Sequence, residues 1–298
     1  MLLRAPAKIN LTLKILSKRA DGYHEISSLM RAIRLFDEVE VTTGQNGDVS
    51  CVRIRTQGTS PFCLPSCPDG PENLAYRAAG LALKSWGGVR GIDIALDKHI
   101  PVAAGLGGGS ADAAAVLLGL ARELKPEAGI AEVAALGAAL GADVPFCVYS
   151  CAEANPFLGY KGAAAAIAEG IGEKLSLIGE PENAFVLLVK PAVEVKTGDV
   201  YALFDKMAAP RPAGAPASGN DLEAVCAEAH PVVSGTLDAL KKLCGEAGAG
   251  GATVQLSGSG PTVYAYFRDT EKTDKAGQIL NRAKEAFPGM FVHLTAAL

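Results

Sequence analysis

Apolar and polar side chains alternate over residues 7–15 in the manner of a strand with one face in a core. Short β-rich runs recur at 38–42, 49–55 and 89–96, and a continuous apolar run at 185–190 reads as a buried strand. Helical spacing takes over at 73–85, where Asn73 is placed to cap and Leu74, Ala78, Leu81 and Ala82 form an apolar stripe. An alanine-rich helix is predicted over 109–124 and another over 130–140. The segment 151–166, CAEANPFLGYKGAAAA, is irregular, and 207–221 is a Pro/Ala/Gly loop. Two helices follow it, then strands at 253–256 and 262–267, a helix at 272–287 and a strand at 291–295. The alternation implies an α/β (α+β) chain. The composition shift near 150–165 divides it into domains 1–158 and 159–298. No internal repeat is visible.

Composition narrows the function classes. The chain has 298 residues, 49% hydrophobic, and a formal charge of −4, which suffices for two domains but leaves no basic footprint for nucleic acid or an anionic membrane. No apolar run reaches the roughly 18 residues a membrane span needs. Charges interrupt the short apolar run of MLLRAPAKINLTLK, which therefore lacks a signal-peptide layout. Seven cysteines, an odd number, argue for a reducing compartment rather than a disulfide framework. The expectation is a cytoplasmic protein with no nucleic-acid or membrane partner. Cys63 with Cys67 and Cys147 with Cys151 share a C-x3-C spacing, but the four histidines are scattered, so no metal site is expected.

One juxtaposition carries chemistry. In PVAAGLGGGSADAAAVLLGLARELK, residues 101–125, four glycines fall within five positions directly before the best helix formers. Glycine lets backbone approach a ligand, and a helix start offers unpaired N–H groups and partial positive charge. Gly105 to Ser110 followed by a helix therefore make an anion cradle, most naturally for phosphate. Ser110 can cap the helix or bond a phosphate oxygen, and Asp112 falls in the expected first turn. A tight strand-to-helix turn without a ligand is the competing reading. No lysine follows the loop as in G-x-x-x-x-G-K-[ST], Ser110 replaces the last glycine of G-x-G-x-x-G, and the protein-kinase motifs are absent.

The stretch PVAAGLGGGSADAAA resembles the second motif of the GHMP family of small-molecule kinases. LSGSGPTVYAYF, 256–267, resembles the family's third motif. Lys8-Ile9-Asn10-Leu11, followed by Arg19, Asp21, Gly22, Tyr23, His24 and Glu25, resembles one branch, and GADVPF at 141–146 and EGIGEKL at 169–175 fit it too. That branch acts on a cytidine-diphosphate derivative of methylerythritol in isoprenoid precursor synthesis. The similarity spans nearly the whole chain. Two loops, 62–71 and 151–166, look expanded against the family's pattern.

The resemblance implies a two-domain fold with the active site in the interdomain cleft. It also implies ATP as donor together with magnesium, and phosphorylation of the acceptor's 2-hydroxyl. ATP is expected along Pro101, Val102, Ala103, Ala104, Gly105, Leu106, Gly107, Gly108, Gly109, Ser110 and Ala111, with Asn73 and Lys98 toward adenine. Lys8 sits in an apolar strand, where a lysine meets an anion or reaches solvent at an edge. Asp143 heads an apolar segment, as a cap or, by the resemblance, as the general base. Asn10 shares the strand face of Lys8 and suits the acceptor or a backbone partner. Tyr23 and His24 suit a cytosine, or anchor a D-G turn. Ser257, Gly258, Ser259 and Gly260 suit the acceptor's diphosphate, or form a tight β-turn. Thr197 bonds substrate or caps a helix. Two other readings stand beside this one: a GHMP kinase for a different alcohol such as homoserine, and a nucleotide-binding regulator without catalysis. The expected assembly is a monomer or homodimer.

Overall fold

The computed structural model describes residues 1–44, 51–58, 60–63, 67–88, 91–179, 182–207, 219–249, 251–268 and 273–298. Most of the 207–221 loop, parts of 49–55, 62–71 and 89–96, and residue 272 lie outside them.

The first sheet is organised on β3 (His24–Gly44), a 21-residue strand. Its first half pairs with β2 (Lys14–Lys18) and β6 (Ala165–Gly170). Its second half pairs with β5 (Gly91–Lys98), and β1 (Leu2–Asn10) runs antiparallel along most of it. At the edges, β4 (Cys51–Gly58) pairs parallel with β5, and β7 (Lys174–Ile178) pairs with β6. A parallel pair needs a crossover, which α1 (Leu74–Trp86) supplies. Asn73 Oδ1 accepts from Ala75 N and caps α1 as the sequence suggests.

Helices α2 (Gly108–Leu124), α3 (Ile130–Gly137) and α4 (Val144–Ala154) accompany this sheet. Helix α2 is buried on nearly every side, packed among β1, β3, α1 and α4. This accounts for its alanines: side chains one carbon long let four neighbours approach. At Gly119 even a Cβ would lie 3.2 Å from Leu3 Cδ1.

The second sheet has the order β11-β8-β10-β9 and is antiparallel throughout, with β8 (Phe185–Lys190), β9 (Thr253–Leu256), β10 (Val263–Phe267) and β11 (Phe291–Ala296). It packs with α5 (Thr197–Met207), α6 (Glu223–Ala229), α7 (Pro231–Glu246) and α8 (Thr273–Ala286). A third apolar cluster joins the halves: Ile9 and Ile33 of the first sheet meet Val186, Leu188, Tyr264 and Tyr266 of the second, with Leu106 among them.

Several elements differ from the sequence reading. The strand expected over 7–15 is two strands, because the chain turns between Asn10 and Lys14. The run at 38–42 is the tail of β3. Residues 151–154 finish α4, a 3-10 turn follows at Pro156–Leu158, and only then does the chain enter β6. The irregular composition there marks a helix end, and the first sheet continues past residue 158 to Ile178. Strands β6 and β7 are short and flanked by Gly170 and Gly172, so they lack the periodic signal of a longer strand.

Candidate active site

The site begins at a defect in β1. Pro6 has no N–H to give the ladder, and the register against β3 shifts between Pro6 and Lys8. The Lys8 N–H bonds Leu106 O at 2.9 Å instead, which ties the strand to the glycine-rich loop. The loop itself curls through positive φ at Ala103, Gly105 and Gly107. Gly105 abuts the second glycine-rich turn: a Cβ there would lie 2.9 Å from Gly260 O, and Ser257 Oγ bonds Gly105 O at 2.9 Å. The two motifs, separated by some 150 positions in the chain, are thus one surface.

Gly107, in the left-handed conformation, is the N-cap of α2, and no side chain among the described residues caps the helix. This corrects the expected start at Gly109 with Ser110 as a possible cap. The first intrahelical bond is Ala111 N to Gly107 O, so the N–H groups of Gly108, Gly109 and Ser110 lie ahead of the helical ladder. The half-buried Ser110 hydroxyl is not spent on capping. Asp112 is likewise outside the first turn. It is buried, and its Oδ2 pairs with Lys98 Nζ at 2.5 Å. Lys98 also pairs with Asp37, whose Oδ1 accepts from His99 N (2.6 Å) and Ile100 N (2.8 Å) where β5 enters the loop. Burial opposes the charge on Lys98, but the two carboxylates outweigh it and raise its pKa. Burial pushes the Asp112 carboxyl up to about 7, against the attraction of Lys98. Lys98 and Asn73 line the cleft, yet the Lys98 ammonium is held by two aspartates and the Asn73 amide by Ala75 N and Pro68 O.

Beneath the loop, Lys8 is buried rather than at a solvent edge, and its Nζ stands 3.2 Å from Asp143 Oδ2. Asp143 flanks the start of α4 and makes no capping bond, so its partly exposed carboxylate faces the cleft instead. Lys8 Nζ also donates to Asn10 Oδ1 at 2.8 Å. Asn10 Nδ2 donates to Ser28 Oγ at 2.8 Å, which donates to Thr12 O at 2.6 Å. The Asn10 amide is thus fixed at both ends, and its oxygen holds the ammonium in place.

One cavity of about 940 Å³ contains the loop, the Lys8–Asp143 pair and the Tyr23–His24 segment. Tyr23 is 60% exposed, while His24 is buried with its ring 5.0 Å from that of Tyr201. Burial, aided by the charge of Asp143, pushes the Tyr201 hydroxyl up to about 12. Thr197 Oγ1 is 2.9 Å from Ser259 Oγ, so α5 is pinned to the third-motif turn. The sequence reading missed Ser28, Asp37, Tyr201, Asp205 and Asn220. Asn220 Nδ2 holds the third-motif turn through Leu256 O (2.9 Å) and Gly258 O (2.7 Å). The only available signal was its place in a G-N-D triplet after the Pro/Ala/Gly loop.

A helix start free of caps, a buried lysine, an open carboxylate and an aromatic wall in one cleft define the class: a small-molecule phosphotransferase. Residues 73–151 match the model of the GHMP kinases N terminal domain and residues 213–289 that of the GHMP kinases C terminal. A 4-diphosphocytidyl-2-C-methyl-D-erythritol kinase of Geobacter metallireducens is 39% identical over 299 residues, covering 96% of this chain and 95% of that one. One of Moorella thermoacetica is 38% identical, covering 98% of each. A crystal structure of 4-(cytidine 5'-diphospho)-2C-methyl-D-erythritol kinase superposes over 100% of both chains with a TM-score of 0.70 at 30% identity. A homoserine kinase from Cytophaga hutchinsonii, 20% identical, shares the fold at a TM-score of 0.66 over 100% of this chain and 94% of that one. The chain belongs to the GHMP kinase family, and within it to the 4-diphosphocytidyl-2-C-methyl-D-erythritol kinases. No helix among the described residues is long and apolar enough to cross a membrane.

Proposed function

We infer that this protein transfers the γ-phosphoryl group of ATP to the 2-hydroxyl of 4-diphosphocytidyl-2-C-methyl-D-erythritol, yielding the 2-phosphate and ADP in isoprenoid precursor synthesis. The observation that carries the reading is the Lys8–Asp143 pair, standing between a phosphate-type loop and an aromatic wall in the same cleft. Phosphoryl transfer asks a protein mainly for positioning and charge neutralisation, and each part has a residue suited to it.

The triphosphate lies along 101–111, on the free N–H groups of Gly108, Gly109 and Ser110, with Asn73 and Lys98 shaping the nucleotide end. Asp143 orients the acceptor hydroxyl and takes its proton as the O–P bond forms. Lys8, fixed by Asn10, steadies the charge on the transferring group. Gly258, Ser259 and Thr197, which line the cleft, face the acceptor's diphosphate, and the buried Ser257 and Gly260 shape the turn behind them. Tyr23, His24 and Tyr201 take the cytosine: Tyr23 offers an exposed ring to stack on, and His24 a ring whose plane Tyr201 fixes. Magnesium carried by the nucleotide offsets phosphate charge. The Ser110 hydroxyl, free of capping, is the side chain placed to hold it among phosphate oxygens and waters.

We place the protein in the cytoplasm as a monomer or homodimer. Residues 1–158 form a nucleotide-binding half and 159–298 an acceptor-binding half, with the β6–β7 hairpin of the second stretch completing the first sheet. The deciding assay incubates the protein with ATP and a panel of alcohols and measures ADP. Turnover with the cytidine-linked methylerythritol alone supports the reading. Turnover with homoserine or mevalonate instead overturns it, and turnover with none leaves a nucleotide-binding regulator.

A further inference from the structure

The wall of the cleft at His24 contains a carboxylate that the reaction does not use. Asp205, two turns along α5 from Thr197, accepts a hydrogen bond from His24 Nε2 through Oδ1 at 2.7 Å. Its Oδ2 accepts from Lys18 Nζ at 2.5 Å. Both donors belong to the β2–β3 hairpin, so Asp205 fastens that hairpin to a helix packed on the other sheet. The imidazole is buried, and it lies 5.0 Å from the Tyr201 ring and edge-on to Phe204 at 6.4 Å. It has one plane and one partner.

A carboxylate only accepts, so the nitrogen facing it carries the proton. In a neutral imidazole the other nitrogen, Nδ1, is then an acceptor with its lone pair in the ring plane. Among the described residues Nδ1 has no hydrogen-bond partner, and His24 lines the cleft. Resting on the reading that this end of the cleft receives a cytidine diphosphate, we propose that Asp205 is a specificity-determining positioning residue: it locks His24 as a hydrogen-bond acceptor that pairs with the 4-amino group of cytosine and turns away the 4-oxo group of uracil. A pyrimidine offers a donor at that position only when it is cytosine. An acceptor fixed opposite it gains a bond with cytosine and meets a second lone pair with uracil. The apolar stacking surface of Tyr23 and Tyr201 is blind to that difference, so the choice falls on the ring nitrogen. Lys18 and His24 together hold the Asp205 carboxyl below the ordinary aspartate range, which keeps it an acceptor.

Calorimetry with cytidine 5′-diphosphate and uridine 5′-diphosphate tests this. The wild-type protein should prefer the cytidine compound by about 10-fold or more, the scale of one hydrogen bond gained or lost. Asp205→Ala frees the imidazole to place its proton on either nitrogen, and the preference should fall to within about twofold, with ATP affinity unchanged. Asp205→Asn, which keeps an accepting oxygen, should retain most of it. On a His24→Ala background, Asp205→Ala should change nothing further in the preference. Equal weakening of both diphosphates would make Asp205 a mechanical clamp and overturn the proposal, as would an undiminished preference. Correlation of ring nitrogens with ring protons by NMR in the wild-type protein tests the tautomer without any variant. A proton on Nε2 and a bare Nδ1 are expected, and the opposite tautomer sinks the idea. If the wild-type protein takes up neither diphosphate, it is the cytidine reading of the cleft that fails.

Discussion

A side chain at Gly107 would run into Lys8. A Cβ built there lies 2.9 Å from Lys8 Cγ and 3.1 Å from Lys8 Cε, and Gly107 itself holds φ at +71°. The residue that caps the start of α2 is thus the one against which the lysine stem lies. The proposed donor site and the Lys8–Asp143 pair share a wall.

This makes Gly107→Val a probe of both. Valine strongly disfavours positive φ, and its branch displaces the Lys8 stem. Helix α2 should persist, since its buried alanines and leucines carry its packing. ATP affinity should fall at least about 30-fold, equivalent to ~2 kcal/mol. The turnover number at saturating ATP should fall as well, because the ammonium is pushed off Asp143. Calorimetry and steady-state rates on the folded variant separate the two effects. Weak ATP binding with normal turnover would mean that Lys8 accommodates the intrusion.

Asp143→Asn keeps the shape and removes the proposed proton acceptor. The turnover number should drop about 10²–10⁴-fold, with ATP affinity within a few-fold of wild type. An Asn variant with nearly normal turnover would show that the alcohol gives its proton directly to phosphate and that Asp143 serves only to hold Lys8.

The parts of this site that the sequence made legible are those with a chemistry readable from neighbours in the chain. The glycine run before the alanine helix, Lys8 in an apolar strand and Asn73 before a periodic segment each carry their signal locally. What could not be read depends on pairing across the fold. Ser28 is an ordinary serine in a strand until β3 lies beside β1 and brings it to Asn10. Asp205 gains meaning only when α5 closes on the β2–β3 hairpin. Asp112 falls outside the first turn because the helix starts at Gly108, one residue before the expected Gly109, at a glycine that sequence propensity counts against helix. The extent of β3 was hidden by its changing partners. Its 21 residues serve four partner strands, and the pattern of burial changes with the partner.

The Lys8–Asn10–Ser28 chain gives a test of positioning as distinct from chemistry. Ser28 is fully buried and touches Asn10, not Lys8. Ser28→Ala leaves Asn10 Nδ2 without its acceptor, a loss of about 1–3 kcal/mol if no water replaces it. The amide can then rotate and turn its nitrogen toward the ammonium. The turnover number should fall about 10-fold while the KM for ATP barely moves, and Ser28→Thr should restore part of the rate. A fall in stability with no change in turnover would show that Asn10 holds Lys8 without help.

The buried cluster below the glycine-rich loop predicts how stability depends on pH. Two carboxylates, Asp37 and Asp112, share the ammonium of Lys98, and Asp112 Oδ1 is buried with no hydrogen-bond partner among the described residues. Burial first, then the neighbouring charge of Asp37, pushes the Asp112 carboxyl up to about 7 against the pull of Lys98. The thiols of Cys147 and Cys151 on α4 and that of Cys67 also lie near it, and burial raises all three, so they stay neutral. The native state therefore holds on to a proton that the unfolded chain, with an ordinary aspartate, releases near pH 4. The sign follows from linkage: this group's contribution is whole below about pH 4 and is lost as pH rises through about 7. Denaturant titrations at intervals from pH 5 to 8 should show wild-type stability falling across that window. Asp112→Asn mimics the protonated side chain and removes the surplus charge, so its profile should be flatter and should cross the wild-type curve toward pH 8. It should also bind ATP at least as tightly as wild type at pH 8, since one negative charge near the triphosphate is gone. Parallel slopes in the two proteins would mean that Lys98 keeps both aspartates ionised and that the unpaired oxygen meets water. A variant that loses ATP while keeping its stability would mean that Asp112 itself touches the nucleotide.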